Sequence, residues 1–470
     1  MKKPILLLTL FIAFSSIAQE MTLKKGAIIE RVSVNDSIQE SFALFLPSTF
    51  EMTKDWPVVF VYDMKGRGKQ VLSMMVTAAE TNGYILAASN NVNDSLPLTK
   101  NILISERMFS TVFNMLPVKK QRVYTAGFAG GARVASVIPT FIRQVKGVIN
   151  CGSAIANIEL LSNKNYVHFI GIVGNEDYNY NEMIQTKKAL DLKKCPNQLL
   201  VFNGGHKWPS QQYISMAMLY LDLIAMRNGV IPVDNLSIER TYKENLTKVN
   251  NLVSDGNPVL AYRKMKDLFE VYKGLKNLDS LKENRKVLRR SPNFKRRNRS
   301  HTTFFTKELF KKDDYDYYLE EDLLTYNYNN LGWWKYQIEE LKKNQKSANR
   351  LERDMGLRLE GYLNALIDDN IDIVKLGESL NEEALNLLWM LKTITNPDEF
   401  SNYLEIISLN AKVEDFGTAL FYVEELLKRG FTNVDQLYTL KNTALLRITP
   451  EFNKLVAKYL KESRYEIIEE

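Results

Sequence analysis

With 470 residues, 45% of them hydrophobic, the chain is long enough for two or three domains and ample for packed cores, so it reads as a globular protein. A net charge of +7 is modest for this length, and composition alone does not point to nucleic acid as a partner. The two cysteines, Cys151 and Cys195, are too few for a disulfide framework and leave two readings open, one bridge or two buried thiols.

The chain opens with MKKPILLLTLFIAFSSIAQE: Lys2 and Lys3, an apolar stretch from Pro4 to Phe14, then Ser16 and Ala18 at the small positions of a cleavage site. Residues 1–18 therefore read as a secretory signal peptide. The mature chain is expected from Gln19, exported to a periplasmic or extracellular space, without a lipid anchor because no cysteine lies near the cut. No later segment reaches the run of about 18 apolar residues needed to span a bilayer.

Ala27 to Leu46 holds two alternating runs, IIERVSV and ESFALFLP, on either side of Asn35-Asp36-Ser37, and predicts an antiparallel hairpin. Beyond it the apolar runs become continuous: Pro57 to Tyr62, Tyr84 to Ala88, Val123 to Ala126 and Gly147 to Ile149, with helical spacing between several of them. Strands buried on both faces belong to a parallel sheet. His168 to Val173 and Leu199 to Phe202 complete it, each followed by turn residues and a helix, Asn181 to Lys193 and Ser210 to Met226. An α/β domain over residues 19–232 follows.

Sheets of this kind bind ligands beyond the carboxyl ends of their strands. After Val123–Ala126 comes Gly127-Phe128-Ala129-Gly130-Gly131 and then an amphipathic helix, the strand–turn–helix setting of a nucleophile elbow. Its apex is an alanine. After Ile170–Val173 comes Gly174-Asn175-Glu176-Asp177, and after Leu199–Phe202 comes Asn203-Gly204-Gly205-His206-Lys207-Trp208-Pro209. Nucleophile, acid and base in that order are those of an α/β-hydrolase, and a carboxylate-bound imidazole is the pair that deprotonates a hydroxyl. Backbone donors for an oxyanion or other ligand are expected at Gly130 and in the loop 63–68, with Met64, Lys65 and Gly66, and with charge from Lys65 or Arg67. The same loop also reads as a solvated Gly-rich turn.

Other hydroxyls are poorly placed to replace the missing nucleophile. Thr125 lies inside the strand, Ser136 two turns into the helix, and Ser153 follows the next strand without a strained turn to present it. His168 sits in an apolar run and reads as a core residue; His301 sits in a basic segment with no evident partner. No histidine has metal-ligand spacing, so neither a metal nor a cofactor is expected.

RVYTAGFAGGARVAS, residues 122–136, resembles the elbow of the α/β-hydrolases grouped with extracellular polyhydroxybutyrate depolymerases and feruloyl esterases, and GGHKWP, residues 204–209, is similar to that group's histidine loop. The resemblance covers roughly residues 25–230. It implies an α/β-hydrolase fold of esterase ancestry with the nucleophile position at Ala129, the acid at Asp177 and the base at His206. The group has serine where this chain has Ala129, and removing a triad nucleophile lowers turnover on the order of 10⁶-fold.

Ile231-Pro232-Val233-Asp234 breaks the last helix of this domain, and helical periods follow at 239–253, 258–275, 277–290, 301–311, 315–329, 333–350 and 354–367. Helical hairpins are expected over 233–375. From Val413 to Tyr459, small Gly417 and Ala419, a helix-ending Gly430 and LLRITPEFNKLVAKYL resemble a tetratricopeptide-like repeat with a capping helix, assigned to 376–470. RKVLRRSPNFKRRNR, 285–299, reads as a solvated loop or as a holder of anionic polymer. The aromatics Tyr315, Tyr317, Tyr318, Tyr326, Tyr328, Trp333, Trp334 and Tyr336 read mainly as repeat core, with sugar stacking as the alternative.

These readings converge on an α/β-hydrolase fold followed by an all-α helical-repeat region: a secreted pseudo-hydrolase with a protein partner on its helices and an ester or carbohydrate ligand in its pocket. A working hydrolase using water activated by Asp177 and His206 is the alternative, and a pure interaction scaffold is the third reading.

Overall fold

The computed structural model describes residues 23–35, 37–157, 159, 167–377, 379–461 and 463–465. The signal-peptide reading of residues 1–18 lies outside them. In chain order the first half comprises β1 (Ile28–Asn35), β2 (Ile38–Phe45), β3 (Trp56–Tyr62), α1 (Gly68–Ser73), α2 (Val76–Asn82), β4 (Ile85–Ser89), α3 (Leu98–Met115), β5 (Val118–Phe128), α4 (Gly130–Phe141), β6 (Val145–Cys151), β7 (His168–Gly174), α5 (Tyr180–Leu192), β8 (Asn197–Phe202) and α6 (Gln211–Arg227).

The eight strands form one sheet in the order β1-β2-β4-β3-β5-β6-β7-β8. The expected hairpin is β1 with β2, and β2 also runs antiparallel to β4; every later pairing is parallel. Strand side chains alternate between two cores. Val59 and Val61 join α1, α2 and α6 on one face, whereas Val58, Phe60 and Tyr62 join α3 and α4 on the other. Chain direction across the sheet reverses around β3, with β4 on one side and β5 on the other, so the crevice between the loops after β3 and β5 is where a ligand fits. This is the α/β-hydrolase fold.

The second half is helical: α7 (Asn235–Ser254), α8 (Pro258–Tyr272), α9 (Asp279–Arg290), α10 (Pro292–Thr325), α11 (Leu331–Gln345), α12 (Arg350–Leu376), α13 (Glu382–Thr395), α14 (Phe400–Lys412), α15 (Phe416–Lys428), α16 (Val434–Thr439), α17 (Ala444–Arg447) and α18 (Pro450–Leu460). The apolar core under α6 continues past residue 232, taking in Ile238 and Tyr242 of α7 and Leu268 and Val271 of α8. A separate core unites α10 through α18.

Two expectations are revised here. Residues 285–299 are not a loop: α9 runs to Arg290, and Ser291, whose hydroxyl accepts from the Phe294 amide, starts α10 at once with Pro292 in its first position. The expected helices 301–311 and 315–329 are one 34-residue helix, because the polar stretch between them, Lys312 to Asp314, continues the helix. The aromatic band divides by helix face: Tyr315 and Trp334 are fully buried and in contact, whereas Tyr317 and Tyr336 are more than half exposed. No helix among the described residues is long and apolar enough to cross a membrane.

Candidate active site

β5 ends at Phe128 and α4 starts at Gly130, so Ala129 alone turns the chain. Its φ of 50° and ψ of −120° place an L-residue in a sparsely populated region that costs on the order of 1–3 kcal/mol. Surrounding backbone enforces it. The Ala129 amide donates to the Cys151 carbonyl at 3.0 Å, and the Ala129 carbonyl accepts from Ala132 at 3.0 Å and Arg133 at 3.2 Å. The first turn of α4 and the end of β3 press so closely that a Cβ on Gly127 would stand 2.3 Å from the Gly131 carbonyl carbon, and one on Gly131 would stand 2.2 Å from the Tyr62 oxygen. Only glycine fits at either place. Ala129 is half-buried and Gly130 exposed. The first-turn amides of Gly130 and Gly131 have no hydrogen-bond partner among the described residues, as helix N-termini leave them.

The loop after β3 lies against this turn. A Cβ on Gly130 would touch the Met64 side chain at 3.1 Å, which brings Gly130 and Met64 together. Gly66 takes a left-handed φ of 63°. Arg67 is committed to Asp63 through Nε to Oδ2 at 2.8 Å and Nη2 to Oδ1 at 3.0 Å, leaving exposed Lys65 as the cation of that loop without a carboxylate partner among the described residues. Asp63 in turn is held below the usual carboxylate range: burial raises it, and the bonds from Arg67 more than offset that.

Asp177, in the loop after β7, is fully buried, and His206, after β8, brings Nδ1 to 3.0 Å from both of its carboxylate oxygens. A carboxylate only accepts, so Nδ1 carries the proton and Nε2 is left for chemistry. The imidazole, 21% exposed, lies between the rings of Phe128 at 4.6 Å and Tyr178 at 4.4 Å. The Asn179 amide donates to Asp177 at 2.8 Å, and its side chain donates to the Gly152 carbonyl at 2.8 Å. Burial, aided by the Asp177 charge, pushes the Tyr178 phenol up to about 12. Asp177, His206 and the Ala129 turn thus meet at the carboxyl ends of β5, β7 and β8.

Other candidates fall elsewhere. Thr125 donates to the Ala135 carbonyl, Ser136 to the Arg133 carbonyl, and the buried Ser153 hydroxyl accepts from Arg133 Nε at 3.2 Å. Cys151 and Cys195 are two free, buried thiols, both pushed up by burial. His168 is bound to Gln198 inside the sheet. No group of three or more His, Cys, Asp or Glu side chains able to hold a metal occurs among the described residues.

The helical half reaches into the same loops, which local sequence patterns gave no means of finding. Arg358 of α12 donates to the Asn175 carbonyl at 2.6 Å while pairing with buried Glu308 of α10 at 2.7 Å. Asn175 donates to Asp354, Lys312 to the Tyr178 carbonyl at 2.6 Å, and Arg350 to Asn203.

No protein-family model matches the chain, and no curated protein does. Among solved structures it is similar to a substrate-bound fluorophosphonate-binding serine hydrolase of Staphylococcus aureus, at 13% identity over 42% of this chain and 99% of that one, with a TM-score of 0.35. It is also similar to Est1E from Butyrivibrio proteoclasticus, at 11% identity over 42% and 98% with a TM-score of 0.33. An acetyl ester-xyloside bifunctional hydrolase from Caldicellulosiruptor lactoaceticus is similar at 12% identity over 44% and 98%, with a TM-score of 0.36.

Proposed function

We propose that this chain is an exported pseudo-hydrolase: an esterase-like domain that keeps its turn, acid and base but lacks the nucleophile. The observation that carries the reading is the conjunction at one crevice of a strained elbow with alanine at its apex and a buried Asp177 bound to His206. Without a hydroxyl at Ala129 no acyl-enzyme forms, so the pocket holds a ligand rather than turning it over. Backbone donors at Gly130 and Gly131, the Met64–Gly66 loop and Lys65 suit a carbonyl or carboxylate of an ester or carbohydrate ligand. The helical half, ending in a tetratricopeptide-like repeat and capping helix, serves as the module for a protein partner.

Purified protein is expected to hydrolyse p-nitrophenyl acetate no faster than its His206→Ala variant. Turnover clearly above that control overturns the reading and favours water activated by the Asp177–His206 pair. Ala129→Ser is expected to gain labelling by a fluorophosphonate probe, since the elbow would then present a hydroxyl. A folded Ala129→Ser protein that stays unlabelled would show that His206 no longer addresses the apex.

A further inference from the structure

Behind the Asp177–His206 loops lies a second concavity, separate from the elbow. It measures about 390 Å³ and is walled by α5, α8, α10, α12 and Asn175. That size suits a small molecule. Its lining is electrically lopsided: Lys188, Arg263, Arg350 and Arg358 face a single carboxylate, Asp354. Arg358 is committed to Glu308, and Arg350 lies 3.7 Å from Asp354. Arg263 donates to the Tyr180 hydroxyl at 3.1 Å, and Lys188 lies over the Phe305 ring at 4.9 Å. Neither has an acidic partner among the described residues.

A buried polar group points the same way. Asn181 is 1% exposed and lines the cavity, yet its side-chain amide nitrogen has no hydrogen-bond partner among the described residues. Buried donors are ordinarily satisfied, so an unsatisfied one beside unpaired cations marks room for an acceptor. The local potential is registered by His301, also in the lining: burial, reinforced by Arg263, Arg358, Arg297 and Arg350, pushes its imidazole down to about 4. Phe294, Phe305 and Val259 supply apolar wall, and exposed Lys188, Asn298 and Arg350 frame an entrance.

We propose that this cavity binds a small organic anion, a phosphate or carboxylate carried on an apolar or aromatic body, with Arg263, Lys188 and the Asn181 amide taking the oxyanion. Arg presents a fork that fits either headgroup. The site is independent of whether the elbow is active.

The test is calorimetric titration of the full chain with phenyl phosphate, benzoate and inorganic phosphate, with benzyl alcohol as the uncharged control. Saturable binding of phenyl phosphate or benzoate at about 1 mM or below is expected, with none for benzyl alcohol. Of the two, the tighter identifies the preferred headgroup, and weaker binding of inorganic phosphate would assign a share to the apolar wall. Arg263→Gln and Asn181→Leu should each weaken binding about tenfold or more, and the double variant Arg296→Gln/Arg299→Gln, exposed and outside the cavity, should leave it unchanged. If Arg263→Gln does not fold, Lys188→Gln at the exposed rim asks the same question. Absence of saturable binding by both organic anions, binding undiminished in the folded cavity variants, or binding lost with the surface arginines overturns the proposal.

Discussion

Two junctions meet at the carboxyl ends of the strands, and they are held by different forces. At the β5–α4 turn, backbone does the holding: carbonyl and amide contacts around Ala129, and glycines too close to neighbouring chain for any side chain. Where α10 and α12 meet the 174–178 loop, charged side chains do it, above all Arg358 between Glu308 and the Asn175 carbonyl. The difference teaches which side chains the fold depends on and which it does not. Geometry set by backbone survives exchange of the apex residue, whereas geometry set by a buried ion pair does not survive loss of either partner.

The comparison can be broken first at its strongest point. Gly131→Ala should cost more than about 4 kcal/mol and leave little soluble protein, because its Cβ would meet a backbone oxygen at 2.2 Å that no rotamer change relieves. Arg358→Leu should cost about 3–5 kcal/mol in urea unfolding, since Glu308 would remain buried and unpaired apart from Lys312 at 3.5 Å. A smaller loss for Gly131→Ala than for Arg358→Leu would invert the comparison.

A third test uses protons instead of substitutions. Burial pushes His168 down to about 4, against about 6.5 in an unfolded chain. Between those values the unfolded state binds a proton that the folded state refuses. Stability is therefore complete above about pH 6.5 and falls toward pH 4, by about 3 kcal/mol for this residue. His168→Gln should remove this residue's share of the slope in unfolding measured across the window, leaving the share of His301. The smallest effect returns to the elbow: Ala129→Gly should raise stability by about 1 kcal/mol, strain relief slightly exceeding glycine's entropic cost. No gain in thermal unfolding would mean that the turn is not strained.

Legibility followed the same division. Strands β3 to β8 were readable as apolar runs, and the elbow and histidine loop as short motifs, because each is set by residues within about ten positions of one another. Tyr178 stood next to Asp177 in NEDYNY but carried no signal that its ring would hold His206. Arg358, Asp354 and Lys312 were invisible as site residues, since the loop residues they hold, Asn175 and Tyr178, lie more than a hundred positions away in sequence. The basic run at 285–299 misled because charge alone does not distinguish a solvated loop from two helices separated at one capping serine.

That capping serine begins a helix of 34 residues, about 50 Å long at 1.5 Å per residue. Near one end Phe294 meets Tyr262 of α8, midway Glu308 and Lys312 hold Arg358 and the Tyr178 carbonyl, and farther on Tyr315 meets Trp334. Such a rod is one stiff element answerable to three neighbours at once, α8, the loop bearing Asp177 and the aromatic core of α11, so none of the three can be repositioned without the other two.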